Sequence, residues 1–239
     1  MPSAAAMPLR GISSMATRAV LAELCSQYAG LRQAQPEREP VVQIESVGGV
    51  DAAKRVAAGE TFDVVILASD AVDKLIAAGH AVPGSRVDIV RSGVAVAVRA
   101  GAAQPDLSSE EAVKQAVLAA PTIGYSTGPS GTALLKLFER WGIAEDVAKK
   151  VVQAKPGVPV GSLVASGEVA LGFQQFSELK SLEGITVVGA LPPAIQVTTI
   201  FSGAVCTAAT QPDAAREFLA FLASAATAEA KQRHGMDPA

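Results

Sequence analysis

The chain has 239 residues, enough for two compact lobes; nearly half are hydrophobic and only 18% charged, with Ala and Val dominating, which describes a packed globular protein. A net charge of −3, few aromatics and no basic cluster argue against a nucleic-acid partner, and no apolar run is long enough to insert in a membrane. Residues Met1 to Met7 lack the basic and apolar regions of a signal peptide, so the expectation is a periplasmic protein whose leader has been removed, or otherwise a cytoplasmic one.

Pro8 to Ser14 reads as a first strand ending in Gly11-Ile12-Ser13-Ser14, followed by a helix from Met15 to about Tyr28 that buries Val20, Leu21 and Leu24. Ser13 or Ser14 is the expected N-cap. Arg18 falls in the first turn, where the helix dipole disfavours a cation, so an anion or acidic partner is expected near it. Residues 30 to 40 read as a polar surface loop. Val41 to Val47 alternates as a strand and ends at Gly48-Gly49, and Val50 to Ala58 is a short helix stopped by Gly59. Phe62 to Ala68 is a continuous apolar run of the kind found in a central parallel strand, with Ser69-Asp70 at its carboxyl end and a helix running to Ala78.

This β-α-β-α-β-α order predicts a doubly wound α/β lobe, in which ligands bind beyond the carboxyl ends of the strands. Ser13, Ser14, Gly48, Gly49, Ser69 and Asp70 all fall there. Val87 to Val98 is a long alternating strand, able to leave one lobe and enter another, and Ser108-Ser109-Glu110-Glu111 opens a helix with a capping signal.

Pro121 to Tyr125 is a short buried strand, and Leu134, Leu135, Leu137, Phe138 and Trp141 recur at helical spacing up to Gly142. The turn between them, Ser126-Thr127-Gly128-Pro129-Ser130-Gly131-Thr132, places backbone N–H groups and hydroxyls at a helix N-terminus, an arrangement that suits an anion. It lacks the Lys and the spacing of a P-loop. Beyond it, Val147 to Val152 is apolar-periodic, Gly157 to Gly161 is a turn, Ser162 to Ser166 is a short helix ended by Gly167, and Val169 to Phe173 and Ile185 to Val188 are strands. Ile195 to Cys206 is a second long β run, and helices over Pro212–Leu222 and up to His234-Gly235 close the chain. The two long strands imply two lobes, residues 8–89 with 199–239 and residues 90–198, closing by a hinge around a ligand held in the cleft between them.

In order and motif the chain resembles the type II periplasmic solute-binding fold, and within it the molybdate-binding-protein-like branch. Ser13-Ser14 matches that family's first oxyanion loop, Phe62 to Ser69 its Asp-then-apolar strand, Ser126 to Trp141 its central loop and helix, and Ala165 to Phe173 its strand entry. The resemblance implies an α/β fold of two doubly wound lobes joined by crossing strands, a small anionic ligand, no cofactor or metal, and an ABC-type permease as partner. Molybdate binders usually carry a Tyr three residues after the glycine of that strand entry, where this chain has Gln175 within Gln174-Gln175-Phe176-Ser177-Glu178. Two amides and the Arg18 guanidinium suit a carboxylate better than molybdate.

The expected ligand is therefore an organic di- or tricarboxylate contacted by Ser13, Ser14, Arg18, Gly49, Ser69, Ser130, Gly131, Thr132, Gln174 and Gln175. A neighbouring group with this fold looks like aconitate isomerase, which implies the alternative of proton transfer on such an acid, with Glu178 or Asp70 as the base. His80 and His234 read as surface histidines, and Cys25 and Cys206 as free thiols without an activating neighbour. Neither a Ser-His-Asp nor a metal-ligand arrangement is present in the pattern.

Overall fold

A computed structural model describes residues 7–33 and 42–239. In chain order the elements are β1 (Leu9–Ser14), a 3-10 turn (Met15–Thr17), α1 (Arg18–Gln33), β2 (Val42–Val47), α2 (Gly49–Ala57), β3 (Val64–Ala68), α3 (Ser69–Ala77), β4 (Val87–Arg99), α4 (Glu110–Ala119), β5 (Ile123–Tyr125) and α5 (Pro129–Arg140). They continue as α6 (Ala144–Val147), β6 (Val151–Gln153), α7 (Val160–Ser166), β7 (Leu171–Gln175), α8 (Phe176–Leu179), β8 (Ile185–Ala190), β9 (Thr198–Val205), α9 (Pro212–Ala223), a second 3-10 turn (Ala225–Thr227), α10 (Ala228–Arg233) and β10 (Asp237–Pro238). The chain divides into two compact units, one running up to Arg91 and resuming at Ile200, the other Ser92–Thr199.

In the first unit β1 pairs with β2 and with β3 in parallel, so all three carboxyl ends lie on one edge. The fully buried β3 was expected to be a parallel strand on both sides; its second neighbour, β9, is antiparallel, because β9 returns from the other unit instead of following a crossover helix. One face of this sheet packs Leu9, Val64, Ile66 and Phe201 against Leu21 and Leu24 of α1 and Phe218 and Leu222 of α9. The other face packs Ile12, Val65 and Leu67 against Val56 of α2 and Leu75 of α3.

Asp63 joins these layers. Its carboxylate accepts from the backbone N–H of Arg10, Thr210 and Gln211 and from the Thr210 hydroxyl, at 2.7 to 3.1 Å. The acidic residue that opens the apolar run thus ties β1 to the start of α9.

In the second unit β7 pairs with β5 in parallel and with β4 antiparallel, β6 extends β5, and β8 pairs with the later part of β4. Val94, Val96, Ile123, Leu171 and Phe173 turn one sheet face toward Val113, Val117, Leu134 and Phe138 of α4 and α5. The opposite face carries Gly172, where an added Cβ would lie 2.5 Å from Val164 of α7, so this helix packs directly on the strand. Ser109 caps α4 as expected, accepting from the Ala112 N–H at 3.1 Å.

Some boundaries differ from the sequence reading. Helix α1 starts at Arg18 after the 3-10 turn and continues past Tyr28 to Gln33, since Gly30 stays helical and does not act as a stop. Helix α7 begins at Val160, inside the expected turn, and β9 is shorter than the expected run from Ile195. The polar loop expected over 30 to 40 is helical up to residue 33, and 34–40 lie outside the described residues. Among the described residues no helix is long and apolar enough to cross a membrane.

Candidate functional site

Parallel strands followed directly by helices put helix N-termini, with their unpaired N–H groups, along one sheet edge. In the first unit that edge carries the 3-10 turn and α1 after Ser14, α2 after Gly48, and α3 after Ala68. None of these helices is capped by a side chain at its N-cap residue.

Ser13 or Ser14 was expected to cap; Ser14 holds the N-cap position of the 3-10 turn, but neither side chain makes the capping bond. The Ser13 hydroxyl is hydrogen-bonded to Ser46 at 2.8 Å, made possible by the β1–β2 register that sets Ser13 opposite Ser46. The Ser14 Oγ is buried and has no hydrogen-bond partner. A Cβ on Gly49 would lie 3.6 Å from the Ser14 Cβ, so those two positions face each other. Ser69 is the first residue of α3, half-buried on the same edge. Arg18 is exposed at the start of α1, and its side chain makes no ion pair or hydrogen bond among the described residues.

In the second unit the loop after β5 folds back tightly. Ser126 and the buried Ser130 share a 3.0 Å hydroxyl bond, and Ser126 Oγ accepts from the Gly128 N–H at 3.3 Å. A Cβ on Gly131 would sit 1.8 Å from the Ser126 carbonyl oxygen, so only glycine fits this first turn of α5. Thr132, an expected ligand contact, is exposed, and its hydroxyl turns back to the Gly128 carbonyl at the start of its own helix.

The two adjacent amides take different roles because consecutive strand residues point to opposite faces. Gln174 faces α7: its oxygen accepts from the Val160 N–H at 2.7 Å and its nitrogen donates to Glu178 at 2.8 Å. Both ends of that amide are occupied within the unit, so it positions other groups. Gln175 pairs opposite Val94 on the α5 side, and its Nε2 donates to Thr199 Oγ1 at 2.8 Å while its Oε1 is buried without a partner.

The two candidate bases differ in their surroundings. Glu178 is half-buried in α8, and desolvation raises its carboxyl from 4.5 to about 7, an effect partly offset by the hydrogen bond from Gln174. Asp70 is exposed, ion-pairs with Lys74 at 3.6 Å and caps nothing. The expectation for Asp70 is not carried further.

His234 meets Glu23 at 2.8 Å, as a side-chain pair between α10's end and α1. Both cysteines are free, and burial pushes each thiol up to about 12. Among the described residues no group of three or more His, Cys, Asp or Glu side chains could hold a metal ion.

Sequence reasoning missed Ser46, Ser92 and Thr199. Ser92 is a buried residue of β4 whose hydroxyl also lacks a partner. Each of the three is recognisable only through the strand that lies beside it.

Two α/β units connected by strands, each presenting uncapped helix N-termini at its strand ends, fit the two-lobed solute-binding class. The comparison with known proteins agrees: the family model for bacterial extracellular solute-binding proteins matches residues 9–237, and the chain belongs to that family. It is 36% identical over 240 residues, covering 99% of this chain and 91% of the relative, to an aconitate isomerase of a Pseudomonas species. Among solved structures, the periplasmic molybdate-binding protein of Azotobacter vinelandii superposes with a TM-score of 0.76 at 19% identity, covering 95% of this chain and 98% of that one. The sulfate-binding protein SubI of Mycobacterium tuberculosis superposes with a TM-score of 0.74 at 15% identity over 98% of this chain and 87% of that one. These two establish the fold alone.

Proposed function

We propose that this chain binds a small organic tricarboxylate of the aconitate class and shifts a proton within it, interconverting cis and trans forms. The observation that carries the reading is Glu178, a half-buried carboxyl held at about 7 beside Gln174 at the end of β7. A carboxyl with that pKa is about equally ready to accept and to return a proton at neutral pH, which a two-way proton shift requires. The name of the 36% identical relative supports the same substrate class.

In this reading the Glu178 carboxylate takes a proton from the methylene carbon of the acid, and the electron pair spreads over the allyl system into the neighbouring carboxylate. The same proton, or one exchanged with solvent, returns to the other allylic carbon, so bonds and charge balance without a cofactor. In the first unit, the helix N-termini at Ser14, Gly49 and Ser69, together with Arg18, are groups suited to a carboxylate. Within the second unit, the Ser126–Ser130 hydroxyl pair at the start of α5 offers a donor, and donors aimed at a carboxylate stabilise the charge that builds there in the transition state.

The test is incubation of cis-aconitate with a sub-stoichiometric amount of protein in D2O, followed by proton NMR. The expected result is trans-aconitate carrying deuterium at the methylene carbon, with Glu178→Gln slowing the exchange by about 10²- to 10⁴-fold. Recovered cis-aconitate with neither deuterium nor any trans isomer overturns the enzymatic reading.

The family match favours a second reading, a carrier that delivers the acid to an ABC-type permease outside the cytoplasm. Binding of the acid with neither exchange nor isomerisation in the same experiment would support it.

A further inference from the structure

We infer that Ser92, Gln175 and Thr199 form a separate subsite, built to receive a hydroxyl of the ligand. The inference rests on the carboxylate reading of the ligand but goes beyond aconitate, which has no hydroxyl.

Val94 and Gln175 are directly opposite in the β4–β7 pair, so their side chains share a sheet face, and alternation along β4 places Ser92 on that face too. On the far side of β4, the Val94 N–H bonds the Val197 carbonyl at 3.1 Å, which lays Thr199 alongside Ser92. The Gln175 amide therefore passes over β4 to reach Thr199, with Ser92 at the strand beneath it.

All three residues are more than nine-tenths buried, at 2% exposure for Ser92 and Gln175 and 8% for Thr199. Yet Ser92 Oγ and Gln175 Oε1 have no hydrogen-bond partner. Leaving a buried polar atom unpaired is costly, so two such atoms on adjacent strands mark a place where a partner is missing.

The chemistry of the two atoms says what that partner is. A carbonyl oxygen can only accept, so Gln175 Oε1 needs a donor, and a carboxylate offers none. At neutral pH the carboxyl groups of small organic acids are ionised, since such groups titrate near 4. The remaining O–H on such a ligand is an alcohol. A hydroxyl donating to Gln175 Oε1 and accepting from Ser92 Oγ would pair both orphans at once. The site should therefore take a hydroxy-tricarboxylate in preference to its deoxy analogue, and such an acid would compete with aconitate.

Calorimetric titration with citrate and with tricarballylate, which differ only by the central hydroxyl, tests this. The expected result is citrate tighter by about tenfold or more, because an analogue that lacks the hydroxyl leaves both polar atoms unpaired. Ser92→Ala and Gln175→Met should each reduce that preference to less than about threefold, with melting temperatures confirming that the variants fold.

Equal affinities in the unaltered protein, or a preference that survives both substitutions, would overturn the inference. Equal affinities that both weaken in Gln175→Met would overturn it in a specific way. The Thr199 hydroxyl can also donate, so that result would mean the amide is turned over and offers its N–H groups to a carboxylate. If neither acid binds, the carboxylate reading falls and this inference with it; if both bind equally, only the inference falls.

Discussion

The side-chain amide of Gln174 donates to the Glu178 carboxylate at 2.8 Å, while its oxygen holds the first N–H of α7 at 2.7 Å. One residue thus fixes a titrating carboxyl to the start of a helix. Desolvation of Glu178 is the larger influence and the hydrogen bond the smaller, so the carboxyl stays raised at about 7.

That displacement makes stability depend on pH in a defined direction. As pH falls through 7 the folded chain takes up a proton that the unfolded chain takes up only near 4.5, so burial of the charge weakens folding above 7 and costs nothing below 4.5. Glu178→Gln keeps an acceptor for Gln174 and removes the charge. It should be more stable than the unaltered protein at pH 8 by about 3 kcal/mol, with the gap closing toward pH 4.5. Urea midpoints at the two pH values measure this, and a gap independent of pH would contradict the assignment.

Asp63 opens the apolar strand that first suggests the fold family, and its role is structural. Its carboxylate satisfies three backbone N–H groups and a hydroxyl in the interior. Asp63→Ala leaves those donors unpaired and should cost about 3 kcal/mol or more, lowering the urea midpoint with little change in slope. A variant within about 0.5 kcal/mol of the original would show that water replaces the carboxylate there.

Much of this architecture is legible in the sequence because it follows from alternation and helical spacing. Val64 to Ala68 has no polar residue to show to solvent and is buried on both faces, and Ser109 sits three residues before the N–H it caps. The site was harder to read. Whether Gln174 or Gln175 is committed internally depends on strand parity, and the expected strand end at Phe173 fell two residues short of the observed one at Gln175. Ser13 looked like a cap because nothing local reveals that β2 sets Ser46 opposite it. The environment that raises Glu178 comes from packed neighbours, which no local pattern encodes.

The loop into α5 depends on one missing side chain. Gly131 approaches the Ser126 carbonyl so closely that an alanine Cβ, at 1.8 Å, forces either the loop or the helix start to move. Gly131→Ala should lose about 2 kcal/mol or more and weaken ligand binding together with it. Gly128→Ala is the matched control, since its Cβ would lie 3.6 Å from Ser126 Oγ in ordinary contact and its φ of −84° suits any residue. Equal melting temperatures for the two variants would remove the close approach as the reason for glycine.

Arg18 separates binding from folding more cleanly than any other residue of the site. It is exposed, its side chain has no partner among the described residues, and it lies at the end of α1 where the dipole opposes a positive charge. Arg18→Ala should therefore leave stability unchanged or raise it by about 0.3–1 kcal/mol. If the guanidinium grips a carboxylate, the same substitution removes a charge-assisted, two-pronged hydrogen bond, and affinity should fall by about ten- to a hundredfold. Arg18→Lys should recover only part of this, because an ammonium group cannot reproduce the planar fork. Thermal-shift titration with trans-aconitate on the three proteins reads both quantities at once: the melting temperature without ligand reports folding, and its rise with ligand concentration reports affinity. Identical ligand-dependent rises in all three would place the carboxylates on the helix N-termini alone and leave Arg18 as a solvated surface residue.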